Sequence, residues 1–293
     1  MNNINITIIG LGAMGTAVAK AFLEKDFTVT VWSRSPQKAQ PLVAQGARHA
    51  EVIDEALEAS PLLLISVLDY PAVDDIFRPM SKGRLAGKTV VNLTNGTPEE
   101  ARKMAAWADA QGADYIDGGI MVTPELIGQP EAFVLYSGAE DSFRAVESTL
   151  SILGNPAYVG EDPAFAPLYD LSLLSAMFGM FGGYLHAAAL LRSEKIPVFE
   201  GVPMIMALLK AMIELFPEIA REIDNREYPT PSSNNAMMAT ALRKVLDGSR
   251  EQGVRGALME PVWQLFHQGT QSGQGERDIS ALVPLLFAAH SEG

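Results

Sequence analysis

The amino-acid sequence predicts an α/β protein in which a doubly wound parallel sheet is followed by a long helix and an all-helical region. Three observations predict this fold. In residues 4–160, short β-branched strand patterns alternate with helical patterns, which is typical of parallel sheets covered by helices. Residues 162–192 form one long apolar helical run. From residue 196 onward, the sequence contains no convincing strand pattern.

The composition describes a globular protein of one large or two ordinary domains. The chain has 293 residues, of which 48% are hydrophobic and 19% are charged. Its net charge of −13 repels nucleic-acid phosphates and anionic lipid surfaces. The chain has no cysteine, which excludes disulfides and thiolate metal sites. With no signal-peptide pattern at its start, we expect a cytoplasmic protein that does not bind nucleic acid.

The first glycine-rich segment lies between a predicted strand at residues 4–9 and a helical pattern at residues 13–24. In this context one glycine allows a tight turn, the next lets a pyrophosphate approach the backbone, and the third allows close helix packing. The helix N-terminus then directs its N–H groups at the phosphates. We therefore predict a dinucleotide site of the Rossmann type at Gly10, Leu11, Gly12, Ala13, Met14 and Gly15.

The end of the second predicted strand, residues 27–32, indicates which dinucleotide binds. An NAD enzyme normally carries an acid there, which bonds the ribose 2′-hydroxyl. This chain instead has Ser33, Arg34 and Ser35, with Lys38 one turn later. Cations and hydroxyls suit a 2′-phosphate through charge-assisted hydrogen bonds. The sequence therefore predicts NADPH/NADP+, and the alternative is that Arg34 only caps a surface turn.

The alternation continues to the end of the predicted sheet. Strands are predicted at residues 62–67, 88–93, 115–118 and 133–137, with the sheet ending near residues 158–160. Helices are predicted at residues 36–45, 72–80, 98–111 and 141–153. Ligands of such sheets bind at the carboxyl ends of the strands. Val67, Leu68 and Asn95 follow two of these ends and should border the nicotinamide, although Asn95 also fits a plain turn.

The long run at residues 162–192 begins with Asp162 and Pro163, a typical helix start. Because residues 171–191 contain no Asp, Glu, Lys or Arg, we expect this helix to be buried on nearly every side. A membrane span is the alternative by length, but glycines, serines and His186 dilute the run and no basic cluster flanks it. Asp170 is the one carboxylate at the edge of the run, and it is either a helix-start residue or a functional group.

The remaining chain is predicted to be helical at residues 202–215, 233–246, 256–268 and 278–288. We therefore divide the chain into a dinucleotide domain at residues 1–161, a linking helix at residues 162–194 and a helical domain at residues 195–293. The four histidines have no ligand-like spacing, so we predict no metal site. For His186 we favour a buried, hydrogen-bonded structural role over catalysis.

The order of several motifs over nearly the whole chain resembles the imine reductases, and within them the reductive aminases. These motifs are GLGAMG, WSRS, NLTNGTP, DGGIMVTP and LYDLSLL followed by HAAAL. The resemblance implies NADPH-dependent hydride transfer to a C=N bond, either of a cyclic imine or of an iminium formed from a carbonyl compound and an amine. It also implies a homodimer that exchanges its helical domains, with the active site between one subunit's Rossmann domain and the other's helical domain.

The resemblance also implies roles for single residues. The parent superfamily of β-hydroxyacid dehydrogenases carries a catalytic lysine where this chain has Asp170, and an asparagine where it has Leu174. A lysine stabilises a developing alkoxide, whereas an aspartate can hold a protonated nitrogen. Phe178 stands where reductive aminases typically have a tyrosine. Asp170 is thus the predicted catalytic residue, and the predicted substrate-binding residues are Asn95, Met121, Phe178 and Met238.

Burial of Asp170 among leucines and Phe178 should raise the pKa of its carboxyl group. Two other functions stay open from the sequence. One is a lysine-type NADP-dependent β-hydroxyacid dehydrogenase, which would oxidise 3-hydroxyacids. The other is a non-catalytic NADP(H) sensor that signals through its dimer interface.

Overall fold

A computed structural model describes residues 5–78 and 83–287 of the chain. The chain divides into two compact units, Met1–Ser175 and Ala176–Gly293, and the division falls inside the long helix. The predicted strand start at residue 4 and the predicted helix ends at residues 80 and 288 lie outside the described residues.

The first unit is built on one eight-stranded sheet. Its strands are β1 Ile6–Ile9, β2 Val29–Trp32, β3 Arg48–His49, β4 Leu62–Ile65, β5 Thr89–Asn92, β6 Asp114–Ile120, β7 Phe133–Gly138 and β8 Asn155–Gly160. They lie in the order β3-β2-β1-β4-β5-β6-β7-β8. The chain therefore builds outward from β1 in both directions, and the point between β1 and β4 is where such sheets bind ligands.

The pairing of β6 with β7 is antiparallel, so the prediction of a parallel sheet is wrong at this one pair. A parallel return needs a crossover connection, usually a helix. Residues 121–132, which make this connection, form only a short 3₁₀ helix at Pro124–Leu126. β8 again pairs parallel with β7. The two-residue β3 was not predicted because it is too short to show alternation.

Helices cover both faces of the sheet, over two separate apolar clusters. They are α1 Ala13–Leu23, α2 Gln40–Val43, α3 Ile53–Glu58, α4 Tyr70–Phe77, α5 Pro98–Ala110 and α6 Glu140–Leu150. Local capping sets the starts of two of them. Asp69 accepts a hydrogen bond from the Ala72 N–H before α4, and Thr97 with Glu100 forms a capping box for α5. The short α3 was not predicted.

The long helix α7, Phe165–Ser193, begins three residues later than predicted. Asp162 instead orders the preceding turn, where its carboxylate accepts from the Ala164 N–H at 2.9 Å and from Arg102 at 2.7 Å. Ser137 at the end of β7 anchors the start of α7. Its hydroxyl donates to the Pro163 carbonyl and accepts from the Ala166 N–H, both at 2.9 Å.

The expected burial of α7 on nearly every side is wrong for the single chain. Its large exposed apolar side chains are Phe165, Leu168, Tyr169, Leu171, Leu173, Met177, Phe178, Met180, Phe181 and Leu185. A charge-free sequence indicates that a helix avoids water, but it does not say which molecule covers it. By length and composition alone α7 could cross a membrane, and a single such helix is weak support for that reading.

The second unit contains the rest of α7 and four helices, α8 Val198–Ile213, α9 Phe216–Asn225, α10 Asn235–Glu251 and α11 Glu260–Gly269. A π-helical turn at Thr270–Gln274 and a 3₁₀ helix at Ile279–Leu286 follow. No strand occurs in this unit as far as residue 287, as predicted. The last predicted helix is a 3₁₀ helix, since the ring of Pro284 would clash with the carbonyl four residues earlier in an α-helix.

Candidate functional site

A cleft of about 360 Å³ opens at the carboxyl ends of β1, β2 and β4. It brings together almost all predicted cofactor-binding residues. Those that line it are Gly10, Leu11, Gly12, Ala13, Met14, Gly15, Ser33, Arg34, Ser35, Lys38, Val67 and Leu68. Trp32, Ser66 and Ile76 complete the lining. The cleft lies at the sheet position where dinucleotides bind in doubly wound folds.

The three glycines of the first loop have different structural reasons. Gly10 has φ +99°, and a Cβ there would collide with the Ser66 carbonyl oxygen. A Cβ at Gly15 would collide with the Gly10 carbonyl oxygen. The position of a Cβ at Gly12 is open space, and Gly12 is the N-cap of α1, whose first turn holds no acid. The loop therefore leaves the positive end of α1 accessible to a pyrophosphate.

Arg34 and Lys38 supply positive charge at the edge of the cleft. Both are exposed, and neither forms an ion pair with any residue of the described part of the chain. Among the described residues, no Asp or Glu lines the cleft. Both cations are thus available to a phosphate group, which fits the predicted preference for a 2′-phosphate.

Asn95 does not line the cleft. It is exposed in the loop between β5 and α5, directly after Thr94. The Thr94 hydroxyl accepts from the Val67 N–H at 3.2 Å and so joins this loop to the cleft. The assignment of Asn95 to cofactor and substrate stays a prediction.

Asp170 is buried, with 4% of its surface exposed. A Cβ built at Gly119 would lie 3.5 Å from the Asp170 Cβ and 3.1 Å from the Met121 Cε. Asp170 and Met121 therefore converge at the end of β6. The substrate-binding role of Met121 stays a prediction.

Burial raises the pKa of the Asp170 carboxyl group, in the predicted direction. Gly119 of β6 contributes to this burial. The part expected of Phe178, which is 64% exposed in the single chain, stays a prediction. A buried carboxyl of raised pKa can hold or exchange a proton nearer to neutral pH.

A buried polar cluster next to this site was not predicted. The Asp117 Oδ2 accepts from the Tyr70 hydroxyl at 2.5 Å and from the Tyr115 hydroxyl at 2.6 Å. The Asn92 side chain donates to the Tyr115 hydroxyl at 3.1 Å. One signal was present in the sequence: Tyr115 and Asp117 stand two residues apart in a predicted strand, so both face the same side of the sheet.

Phe178, Met238 and His186 lie in the second unit. Met238 packs on α10 against the small core of Ala239, Phe266 and Leu282. The substrate roles of Phe178 and Met238 stay predictions. His186 is buried and hydrogen-bonded as predicted: it is 4% exposed and its Nε2 lies 2.9 Å from the Ser249 hydroxyl. Its structural rather than catalytic role stays a prediction.

Known proteins share both parts of this chain. Residues 5–160 match the family described as the NAD binding domain of 6-phosphogluconate dehydrogenase. Residues 162–287 match the family described as the NADPH-dependent reductive aminase-like C-terminal domain. Over 283 residues the chain is 42% identical to an NADPH-dependent reductive aminase of Aspergillus oryzae, a match that covers 95% of this chain and 96% of that protein.

Solved structures give the same result. A reductive aminase from Aspergillus terreus in complex with NADPH and ethyl-5-oxohexanoate is 45% identical, with a TM-score of 0.91 over 98% of this chain and 100% of that one. An imine reductase from Aspergillus terreus in complex with NADPH4 and dibenz[c,e]azepine is 44% identical, with a TM-score of 0.92 over 97% of this chain and 100% of that one.

Proposed function

The chain belongs to the NADPH-dependent reductive aminase family, and from that premise we propose that it reduces C=N bonds with Asp170 as its proton-handling residue. The substrate is an imine, or an iminium formed from a carbonyl compound and an amine. The observation that carries this proposal is the buried carboxyl of Asp170, which lies on α7 next to Gly119 near the end of β6. An acid there suits a nitrogen, whereas the alkoxide of a hydroxyacid dehydrogenase needs a cation.

The cofactor is NADPH, which supplies the hydride when bound. The open backbone at Gly12 and the N-terminus of α1 would hold its pyrophosphate. Arg34, Lys38 and the hydroxyls of Ser33 and Ser35 would hold its 2′-phosphate.

Asp170 must act on protons rather than as a fixed negative charge. Addition of hydride removes the positive charge of an iminium, so a permanent carboxylate would favour the reactant over the transition state. The useful roles are supply of a proton to the imine nitrogen, orientation of that nitrogen, or deprotonation of an incoming amine. The raised pKa of the Asp170 carboxyl group suits each of them.

Turnover of a small cyclic imine, followed by NADPH oxidation, tests this role. We expect Asp170→Asn to lower kcat by roughly 10²- to 10⁴-fold, the usual contribution of general acid–base catalysis. NADPH binding, measured by fluorescence, should persist because Asp170 does not line the cofactor cleft. Glu161→Gln, which removes an exposed carboxyl near the start of α7, is the matched control. Normal turnover by Asp170→Asn would refute the role.

A second assay separates reductive amination from reduction of preformed imines. A ketone and an amine at nearly equal concentrations should give the secondary amine if the enzyme assists condensation. Turnover limited to preformed imines would restrict it to imine reduction. Oxidation of 3-hydroxyacids with NADP+ is expected to be negligible, since Asp170 replaces the lysine of those enzymes.

We further propose a homodimer that exchanges its helical domains. The apolar surface of α7 and the exposed Phe199, Met204, Met206 and Leu208 of α8 support it, because such patches on a soluble chain mark an interface. Light scattering should give twice the chain mass of 31.5 kDa. An active monomer at assay concentration would contradict the proposal.

We also propose a cytoplasmic location. The acidic composition argues against nucleic acids and anionic membrane surfaces as partners. Cell fractionation tests this location. Recovery of the enzyme in the membrane pellet would instead favour α7 as a membrane span.

A further inference from the structure

The buried cluster around Asp117 lies directly beside the proposed catalytic residue. Side chains two residues apart on a strand face the same side of the sheet. Tyr115, Asp117 and Gly119 therefore share one face of β6, and Gly119 is where the Asp170 Cβ rests. Asp117 is 1% exposed. Two carboxyl groups thus occupy one buried region of the first unit.

Hydrogen bonds continue from this cluster to the cofactor cleft. The Asn92 Oδ1 accepts from the Thr94 N–H at 3.1 Å, which fixes the Asn92 amide that donates to Tyr115. The Thr94 hydroxyl in turn accepts from the N–H of Val67, a residue of the cleft. Hydrogen bonds therefore join the cluster around Asp117 to the loop that borders the cofactor cleft.

Among residues 5–78 and 83–287, no positively charged group faces Asp117. The titratable groups are Tyr70 from α4, Tyr115 from β6 itself and Asp170 from α7. The neighbouring strands contribute the uncharged Asn92 from β5 and Ser137 from β7, which pair with Asp117. Two carboxylates without a cation cannot both ionise cheaply in a buried region.

We propose that Asp117 and Asp170 form a coupled carboxyl pair, in which Asp117 is a positioning residue that controls the charge next to the substrate nitrogen. This inference rests on the proposed function. When the Asp170 carboxyl gives its proton to the imine nitrogen, it becomes a carboxylate and the nitrogen becomes an iminium. Asp117 keeps its own proton, so the pair carries one negative charge rather than two.

The titration of Asp117 agrees with this arrangement. The pKa of Asp117 is raised from 3.8 to about 7: burial is the largest cause and the charge of Asp170 adds to it, while the hydrogen bonds from Tyr115 and Tyr70 act in the opposite direction. Asp117 is therefore largely protonated below neutral pH. Above it, the second negative charge stabilises an iminium in the ground state, which slows its conversion to a neutral amine.

The test compares kcat for a cyclic imine between pH 5 and 9 in wild type, Asp117→Asn and Tyr70→Phe. We expect the wild-type kcat to fall as pH rises through about 7. Asp117→Asn, which stays neutral, should match the wild type at acid pH and lack this fall. Tyr70→Phe removes a hydrogen-bond donor to the ionised Asp117 carboxylate. The pH at which kcat of this variant falls should therefore be about one to two units higher than in the wild type. The ionisation of the substrate is the same in all three.

Nuclear magnetic resonance of ¹³C-carboxyl-labelled aspartates in the NADP+ complex gives a readout without turnover. A resonance that titrates near pH 7 in the wild type and moves to higher pH in Tyr70→Phe supports the pair, even if Asp117→Asn does not fold. No such resonance, or an unchanged kcat profile in both variants, overturns it. Full activity of Asp170→Asn would instead refute the proposed function, so the two failures are distinguishable.

Discussion

At the scale of single residues, the preference for NADPH depends on the side chains that meet the 2′-phosphate. Arg34 lines the cleft and has no ion-pair partner in the described chain. We expect Arg34→Ala to raise the Kd for NADPH roughly 10- to 100-fold, the worth of a charge-assisted hydrogen bond. The Kd for NADH should hardly change. Arg48→Ala, at an exposed site outside the cleft, is the control. An equal loss of affinity for NADPH and NADH would refute the role of Arg34 in binding the 2′-phosphate.

The burial of Asp117 also predicts how stability depends on pH. Its pKa is raised from the usual 3.8 to about 7 in the folded chain. The group therefore contributes stability that is complete below about pH 4 and is lost as pH rises through 7, by at most about 4 kcal/mol. Urea unfolding at several pH values should show this loss in wild type and not in Asp117→Asn. A difference in unfolding free energy between wild type and Asp117→Asn that stays constant from pH 4 to 8 would contradict this prediction.

At the scale of elements, Ser137 connects the end of β7 to the start of α7. Ser137→Ala removes a donor to Pro163 and an acceptor for Ala166 in a buried place. We expect the free energy of unfolding to fall by about 1–3 kcal/mol. We also expect kcat for imines to fall more than NADPH affinity, because α7 positions Asp170.

A matched serine tests whether this loss is specific. Ser151 bonds a carbonyl of its own turn on the exposed end of α6, so Ser151→Ala should change neither quantity. Equal effects of the two substitutions would show that the anchor at Ser137 is unimportant.

The elements that local patterns determine were predicted, and those that depend on distant partners were not. The loop from Gly10 to Gly15 and the cations at Arg34 and Lys38 follow from spacing along one βαβ unit. Asp170 stood out by its place at the edge of a charge-free helix, and its catalytic role was predicted from the resemblance to the imine reductases. The cluster at Asp117 joins Tyr70 to Tyr115, 45 residues apart, and no local pattern reports such a contact. The antiparallel β7 depended on a connection without a crossover helix.

At the scale of the whole molecule, the uncovered apolar faces of α7 and α8 determine how stability should respond to concentration. If a second copy covers them, unfolding requires dissociation, and mass action raises the Tm with protein concentration. We expect a measurable rise over a hundredfold range of concentration, recorded by calorimetry in the presence of NADP+. A Tm independent of concentration would show that the chain folds without a partner.

The placement of the sheet also has a consequence for synthesis on the ribosome. All eight strands and every residue of the cofactor cleft lie before residue 161, and domains generally fold as units from the N-terminus first. The emerging chain can therefore complete its cofactor site while α8, α9, α10 and α11 are still untranslated. During that interval α7 is the apolar segment that a chaperone would have to shield.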